Sequence, residues 1–215
     1  MRIQYLHGFA SGPQSYKGVE LQRRFALRGV PIELPSLRVP SFERQRISQM
    51  ISTVEHDLIE AAQPTLLVGS SLGGLVAAHV AVRSSLVKGL VLLAPAFGMA
   101  ERWHLRLGEA GLAEWRAAEW LSVYDYAERR ESRIDVGYLD DGLALRPQWP
   151  APTIPIALLH GRRDETVPPE NSERFCLHCP QTRLEWLDDG HELTRPRSVD
   201  EIEDTIERMR AKLLP

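Results

Sequence analysis

The stretch that decides the fold is Thr65-Leu66-Leu67-Val68-Gly69-Ser70-Ser71-Leu72-Gly73-Gly74, which begins apolar and ends in small residues. Its first part does not alternate between polar and apolar residues, which is typical of a strand buried on both faces of a parallel sheet. An apolar helical segment, Leu72–Arg83, follows at once. The G-x-S-x-G pattern between a strand and a helix predicts a sharp turn that presents a serine as a nucleophile.

Two adjacent serines compete for this position, and the glycines decide between them. Ser71 has Gly69 and Gly73 two positions away on either side, whereas Ser70 has Val68 and Leu72 at the same spacing. Side chains at these two positions would collide with the chain as it doubles back, and glycine removes them. We therefore predict that Ser71 is the nucleophile.

Strands and helices are predicted to alternate along the rest of the chain. We expect strands at Arg2–Leu6, Pro31–Leu34, Thr65–Gly69, Val87–Leu93, Ile154–His160 and Arg183–Leu187. We expect helices at Ser15–Arg28, Phe42–Ala62, Leu72–Arg83, Pro169–His178 and Ser198–Leu213. This alternation predicts an α/β fold, with a mostly parallel sheet of about six strands and helices on both faces.

One segment interrupts the alternation. Between Pro95 and Pro155 lie about sixty residues, far more than one crossover helix needs. We interpret residues 1–215 as a single domain in which residues 96–150 form a small cap-like insertion. The insertion is predicted to contain helices at Ala100–Leu107 and Leu112–Trp120, and strands at Leu121–Tyr126 and Arg133–Val136. Its aromatic side chains are candidates for a substrate pocket, namely Phe97, Trp103, Trp120 and Tyr124.

A serine hydroxyl needs a base within hydrogen-bond reach and an acid that orients the base. His191 follows the last predicted strand, at the carboxyl ends of the strands, where sites form in open parallel sheets. Asp164 follows the preceding strand and is the predicted acid, with Glu165 as its nearest rival. Asp188 and Asp189 are expected to shape the turn before the histidine.

Backbone N–H groups are expected to stabilise the negative charge of an oxyanion. The N–H of Leu72 lies at a helix N-terminus, and a second donor should come from the loop after the first strand. In that loop Phe9 is our first choice and Ala10 the second. His7 and His160 each end a strand before glycine, and we expect their imidazoles to hydrogen-bond to loop backbone. His79 is expected to be packed or half-exposed inside a helix.

Composition and charge exclude several other classes of protein. The chain is 43% hydrophobic and 26% charged, with a net charge of −3, so it lacks the basic excess of nucleic-acid binders. No stretch approaches the ~18 apolar residues of a membrane span, and the first strand begins at the N-terminus without a signal peptide, which favours a cytoplasmic location. Cys176 and Cys179 are interpreted as ordinary thiols, because a structural zinc site needs four ligands. We predict no metal and no cofactor.

The motifs together resemble the small bacterial YqiA-like esterases of the α/β-hydrolase superfamily. The resemblance lies in Tyr5–Phe9, Pro13–Ser15 with Lys17, Gly69–Gly74, His160–Pro168 and Asp189–Leu193. It implies the α/β-hydrolase fold, a Ser71–Asp164–His191 triad and hydrolysis of small-molecule carboxylic esters or thioesters, often with short acyl chains. Thioesterase, peptidase or acyltransferase activity at the same triad remains an alternative, as does a binding or scaffold protein without turnover. The sequence predicts no oligomeric state.

Overall fold

A computed structural model describes residues 1–214 and shows a five-stranded parallel sheet flanked by helices. In chain order the elements are β1 (Arg2–Leu6), α1 (Tyr16–Ala26), α2 (Ile47–Ala61), β2 (Thr65–Ser70), α3 (Leu72–Arg83), β3 (Val87–Leu93), α4 (Met99–Ala118), β4 (Trp120–Asp125), β5 (Arg130–Asp135), α5 (Gly137–Ala144), β6 (Ile156–Gly161), α6 (Glu170–His178), β7 (Thr182–Leu187) and α7 (Pro196–Leu213). The strand order in the main sheet is β1-β2-β3-β6-β7. This is the predicted α/β-hydrolase fold.

The sheet is apolar on both faces because successive side chains of a strand point in opposite directions. In β2, Leu66 and Val68 pack with α1 and α7, whereas Leu67 packs with α2 and α3 on the other face. All three side chains are fully buried. The continuous apolar run of β2 therefore packs against helices on both faces of the sheet.

One of the six predicted strands, Pro31–Leu34, is not formed. Glu33 makes an isolated parallel bridge with Gln4, exchanging backbone hydrogen bonds of 2.8 and 3.0 Å with Tyr5 and Ile3. Pro31 and Pro35 flank this bridge, and proline has no N–H to donate to a sheet. The segment still covers the edge of β1, but the sheet has five strands rather than six.

The insertion contains more helix than predicted. The two predicted helices meet at Gly108, whose φ of 63° and ψ of 178° kink α4. Strands β4 and β5 pair as an antiparallel hairpin, with Leu121 opposite Ile134. Helix α5 was not predicted. Conversely, α2 begins at Ile47 rather than Phe42.

Two arginine–aspartate pairs attach the insertion to the body of the protein. Arg38 donates to the fully buried carboxylate of Asp125 at 2.5 and 2.9 Å, and Arg46 lies 2.7 Å from Asp135. Buried charged partners hold a defined geometry because separating them would leave an uncompensated charge. The hairpin is thereby held beside the carboxyl ends of β1 and β2. Among the helices within residues 1–214, none is long and apolar enough to cross a membrane.

Candidate active site

Ser71 lies at a tight turn between β2 and α3. Its φ of 51° and ψ of −114° are unusual for a residue with a side chain. The N–H of Ser71 donates to the carbonyl of Leu93 at 2.9 Å, which ties the turn to β3. A Cβ on Gly69 would lie 2.4 Å from the carbonyl oxygen of Gly73, and one on Gly73 would lie 2.1 Å from that of Leu6. Both glycines are thus required by close backbone contacts.

The structure brings Ser71, His191 and Asp164 together. His191 Nε2 lies 3.0 Å from Ser71 Oγ, and His191 Nδ1 lies 2.7 Å from Asp164 Oδ2. The histidine side chain is 14% exposed, and that of Asp164 is fully buried. Glu165, the rival acid, is exposed. The three side chains form a linear array with His191 at its centre, although Ser71 and His191 are 120 residues apart along the chain.

Both oxygens of the Asp164 carboxylate accept hydrogen bonds. Its Oδ1 accepts from the backbone N–H groups of Thr166 and Val167, each at 2.8 Å. Its Oδ2 faces His191 and also Nε2 of His160, at 3.0 Å. Burial raises the pKa of this carboxyl, but the hydrogen bonds from the two histidines and the backbone outweigh burial and hold the pKa well below its usual range. The group is therefore ionised at neutral pH.

His160 is a fully buried second histidine on the same carboxylate. Its Nε2 faces two acceptors, Asp164 Oδ2 and the carbonyl of Val167 at 3.1 Å, so this nitrogen carries the proton. Its Nδ1 lies 2.6 Å from Ser172 Oγ. The bond to loop backbone was predicted from the sequence, but the bond to Asp164 was missed. Its only sequence signal is that Asp164 follows His160, a residue of β6, by four positions.

Asp189 shapes the turn that carries His191, as predicted. Its Oδ1 accepts from the N–H of Gly190 at 2.8 Å, and its Oδ2 accepts from Arg195 N–H at 3.0 Å and from Ser198 Oγ at 2.7 Å. Burial raises the pKa of Asp189, and these donors more than offset that effect, so the pKa is lowered. The turn is consequently tied to the start of α7.

Lys17 supports the same turn from the opposite side. Its Nζ donates to the backbone carbonyl of Glu192, and its side chain is only 7% exposed. Burial lowers the pKa of Lys17 to about 8, although the nearby carboxylates of Glu192, Asp189 and Asp164 oppose the change. The sequence motif contained Lys17 but did not predict this contact.

The loop after β1 lies directly against the nucleophile. A Cβ on Gly8 would be 3.4 Å from the Cβ of Ser71. The N–H groups of Phe9 and Leu72 have no hydrogen-bond acceptor within residues 1–214, and both residues line the same cavity as Ser71. Two unpaired donors beside a nucleophile are what an oxyanion hole requires. That role for Phe9 and Leu72 stays a prediction.

His7 fixes the backbone of this loop. The N–H of Leu37 donates to His7 Nε2 at 3.0 Å, so Nδ1 carries the proton and donates to the carbonyl of Gly8 at 2.9 Å. Burial lowers the pKa of His7 and keeps the ring neutral. The predicted bonding of this imidazole to loop backbone is confirmed.

A cavity of about 1200 Å³ opens over Ser71 and His191. Of the four predicted pocket residues, Trp103 and Tyr124 line it. Phe97 does not: it points into the core and stacks on Phe175, with 4.3 Å between ring centroids. Trp120 does not either, because it begins β4 while Tyr124 lies about 14 Å further along that strand. Its ring packs under the guanidinium of Arg133 instead, at 4.1 Å.

The two cysteines lie away from this cavity. Both are free thiols, and burial raises the pKa of Cys176 and raises that of Cys179 to about 11. Such thiols are poor nucleophiles at neutral pH. Within residues 1–214, no group of three or more His, Cys, Asp or Glu side chains is arranged to hold a metal ion.

Comparison with protein-family models assigns the chain to a family. The model described as Uncharacterised protein family (UPF0227) matches residues 2–208. The chain belongs to this family. The resemblance to YqiA-like esterases inferred from the motifs is thereby confirmed.

One curated protein is similar to part of the chain. The mouse protein described as mitochondrial palmitoyl-protein thioesterase ABHD10 is 32% identical over 117 residues, which are 52% of this chain and 39% of that protein. The matched segment thus spans about two fifths of this relative.

Several solved structures share the fold of this chain. Mouse α/β-hydrolase domain-containing protein 10 superposes with a TM-score of 0.79 at 22% identity, covering 99% of this chain and 90% of that one. Est1E from Butyrivibrio proteoclasticus with bound ferulic acid gives 0.80 at 19%, covering 97% and 89%. A monoacylglycerol lipase from Paleococcus ferrophilus gives 0.74 at 17%, covering 97% and 93%.

Proposed function

We propose that the protein is a serine hydrolase that cleaves small-molecule carboxylic esters, short-chain acyl esters among them, through an acyl-enzyme intermediate. The observation that carries the proposal is the array in which His191 Nε2 lies 3.0 Å from Ser71 Oγ and its Nδ1 lies 2.7 Å from Asp164. A buried, ionised carboxylate orients the imidazole and stabilises the imidazolium that forms during the reaction. Membership of the family and the α/β-hydrolase fold support the same activity.

The proposed cycle has two halves. His191 removes the proton of Ser71 as Oγ attacks the ester carbonyl, then gives that proton to the leaving alcohol. Water, activated by the same imidazole, then releases the acid from Ser71. The N–H groups of Phe9 and Leu72 would hold the oxyanion in both halves, and loss of one such donor would cost on the order of 3 kcal/mol.

We further propose that residues 96–150 act as a cap that selects the substrate within a single domain. Trp103 and Tyr124 of this insertion face the cavity, and its hairpin is tied to the body through Arg38 and Asp125. The aromatic wall favours an apolar acyl or alcohol group.

Thioester hydrolysis is a second candidate activity of the same triad. Its support is the 32% identity to the mouse relative that is described as a palmitoyl-protein thioesterase. An ester and a thioester with the same acyl group pass through the same acyl-enzyme. Comparison of kcat/KM for matched oxygen ester, thioester and amide substrates distinguishes esterase, thioesterase and peptidase activity, and acyl transfer to an added alcohol identifies an acyltransferase.

A fluorophosphonate probe tests the nucleophile. We expect the probe to label the unmodified protein and Ser70→Ala, but not Ser71→Ala. Ser70 is the matched control because it is adjacent, buried and also borders the cavity. Absence of labelling in folded, unmodified protein would contradict the hydrolase proposal and favour a binding or scaffold role.

A further inference from the structure

The cavity over Ser71 is lined on one side by cationic side chains of α4. Arg102 and Arg106 are four residues apart, so they lie on the same face of the helix, and both border the cavity. Neither guanidinium forms an ion pair or a hydrogen bond with any group within residues 1–214. By contrast, Arg116, beyond the kink of the same helix, pairs with Asp140 at 2.8 Å.

Arg102 is the more enclosed of the two arginines. It is half-buried, whereas Arg106 is exposed and lies 5.4 Å from the ring centre of Trp103. Burial lowers the pKa of Arg102, although the nearby Tyr138 and Asp164 oppose the change. A cation that has lost part of its hydration without gaining a counter-ion is unfavourable, and a bound anion would remove that cost.

The other charges at the cavity do not supply this counter-ion. Two acidic residues border the cavity, Glu165 and Glu192, and both are exposed to solvent. Neither the carboxylate of Glu165 nor that of Glu192 lies within 4.0 Å of the Arg102 guanidinium, the distance that defines an ion pair. The cavity therefore keeps an unpaired positive charge on its α4 side.

The remaining wall near Arg102 is apolar. The rings of Phe9, Trp103 and Tyr138 pack against one another, with 5.3 Å between the centroids of Phe9 and Tyr138. At the mouth, Leu105 and Tyr126 border the cavity although they are 79% and 69% exposed. An aromatic wall beside an unpaired cation fits a substrate that has both an apolar part and an anionic part.

We propose that Arg102, assisted by Arg106, binds an anionic oxygen group of the substrate, either a carboxylate or a phosphate, so that the preferred substrates are negatively charged esters or thioesters. This inference rests on the proposed hydrolase function of Ser71. Guanidinium binds both kinds of anion through two parallel N–H donors, which lysine cannot reproduce.

Matched chromogenic esters test the proposal. Hydrolysis of neutral 4-nitrophenyl butanoate is compared with that of 4-nitrophenyl hydrogen glutarate, charged on the acyl side, and 3-carboxy-4-nitrophenyl butanoate, charged on the leaving group. The readout is the ratio of kcat/KM for each charged ester to that for the neutral ester. We expect this ratio to fall about 10- to 100-fold in Arg102→Gln for one of the two charged esters, the range given by a charge-assisted hydrogen bond.

Controls separate charge recognition from general damage. Arg102→Lys keeps the charge and should recover part of the ratio, whereas Arg116→Gln, outside the cavity, should leave the ratio unchanged. If Arg102→Gln does not fold, the ratio in the unmodified protein supplies the test, because added salt should lower it. Inhibition by monobutyl phosphate and by pentanoate, compared in the unmodified protein and Arg102→Gln, shows which anion is preferred.

The possible outcomes are distinct. A ratio that does not change in Arg102→Gln and does not depend on salt overturns the assignment of an anionic substrate while leaving the hydrolase proposal intact. Failure of the unmodified protein to hydrolyse any of the three esters, together with no phosphonate labelling of Ser71, overturns the hydrolase proposal itself.

Discussion

The substitution Asp164→Asn has a consequence that the hydrogen bonds of the loop define atom by atom. Oδ1 of Asp164 accepts two backbone N–H groups, from Thr166 and Val167, at 2.8 Å each. An asparagine must therefore keep its oxygen at this position, since its NH₂ group cannot accept those bonds. The NH₂ group is then forced towards His191 Nδ1, which lies 2.7 Å from the other carboxylate oxygen.

This orientation reverses the tautomer of His191. The asparagine N–H donates to Nδ1, so the ring proton moves to Nε2, the nitrogen 3.0 Å from Ser71 Oγ. A protonated Nε2 cannot remove the serine proton. The substitution also places NH₂ opposite the Nε2–H of His160, so two donors face each other. We expect kcat to fall about 10³- to 10⁴-fold, equivalent to about 4–5.5 kcal/mol of transition-state stabilisation.

The assay is steady-state hydrolysis of 4-nitrophenyl butanoate, with circular dichroism to verify that the variant is folded. Glu165→Gln is the control because it neutralises the adjacent carboxylate, which is exposed and is not bonded to His191. A loss of less than tenfold in folded Asp164→Asn would refute the reasoning. An equal loss in Glu165→Gln would refute the choice of acid.

Three further predictions concern the scaffold. Gly73→Ala should prevent native folding or lower the yield of folded protein sharply, because its Cβ would lie 2.1 Å from the carbonyl oxygen of Leu6, and thermal melts check this. The protein should lose up to about 3 kcal/mol of unfolding free energy between pH 6.5 and 4, since burial lowers the pKa of His79 to about 4 and the unfolded chain binds the proton first. His160→Leu should lower both stability and kcat, as it removes the 3.0 Å donor to Asp164 and buries unpaired acceptors.

Each of these three has its own control. A Cβ at Gly29 would meet no atom within 4 Å. Gly29→Ala should therefore lower the unfolding free energy by only about 1–2 kcal/mol, which is the cost of placing alanine in the left-handed conformation. In His79→Leu the unfolding free energy, measured by urea melts, should change less between pH 6.5 and 4. An unchanged pH dependence of that free energy would contradict the assignment to this ring. His160→Gln keeps a donor near the position of Nε2, so its kcat should exceed that of His160→Leu.

The sequence by itself determined the elements nearest to the nucleophile. Strands β1 and β3 and helix α3 have the predicted bounds. Here local rules suffice, because glycine spacing at Gly69 and Gly73 and an uninterrupted apolar run allow few alternatives. The linear order of serine, acid and histidine likewise predicted which three side chains the fold brings within hydrogen-bond reach.

Other features were decided only by tertiary contacts. The segment Pro31–Leu34 has the composition of a strand, yet Pro31 and the following Pro35 limit it to one bridge at the sheet edge. Helix α5 and the kink at Gly108 depend on how the insertion packs on the body. The second histidine on Asp164 and the unpaired Arg102 depend on distances across the fold. Sequence patterns record the burial and spacing of neighbours along the chain, whereas the partners of a buried charge are set by which loops meet in space.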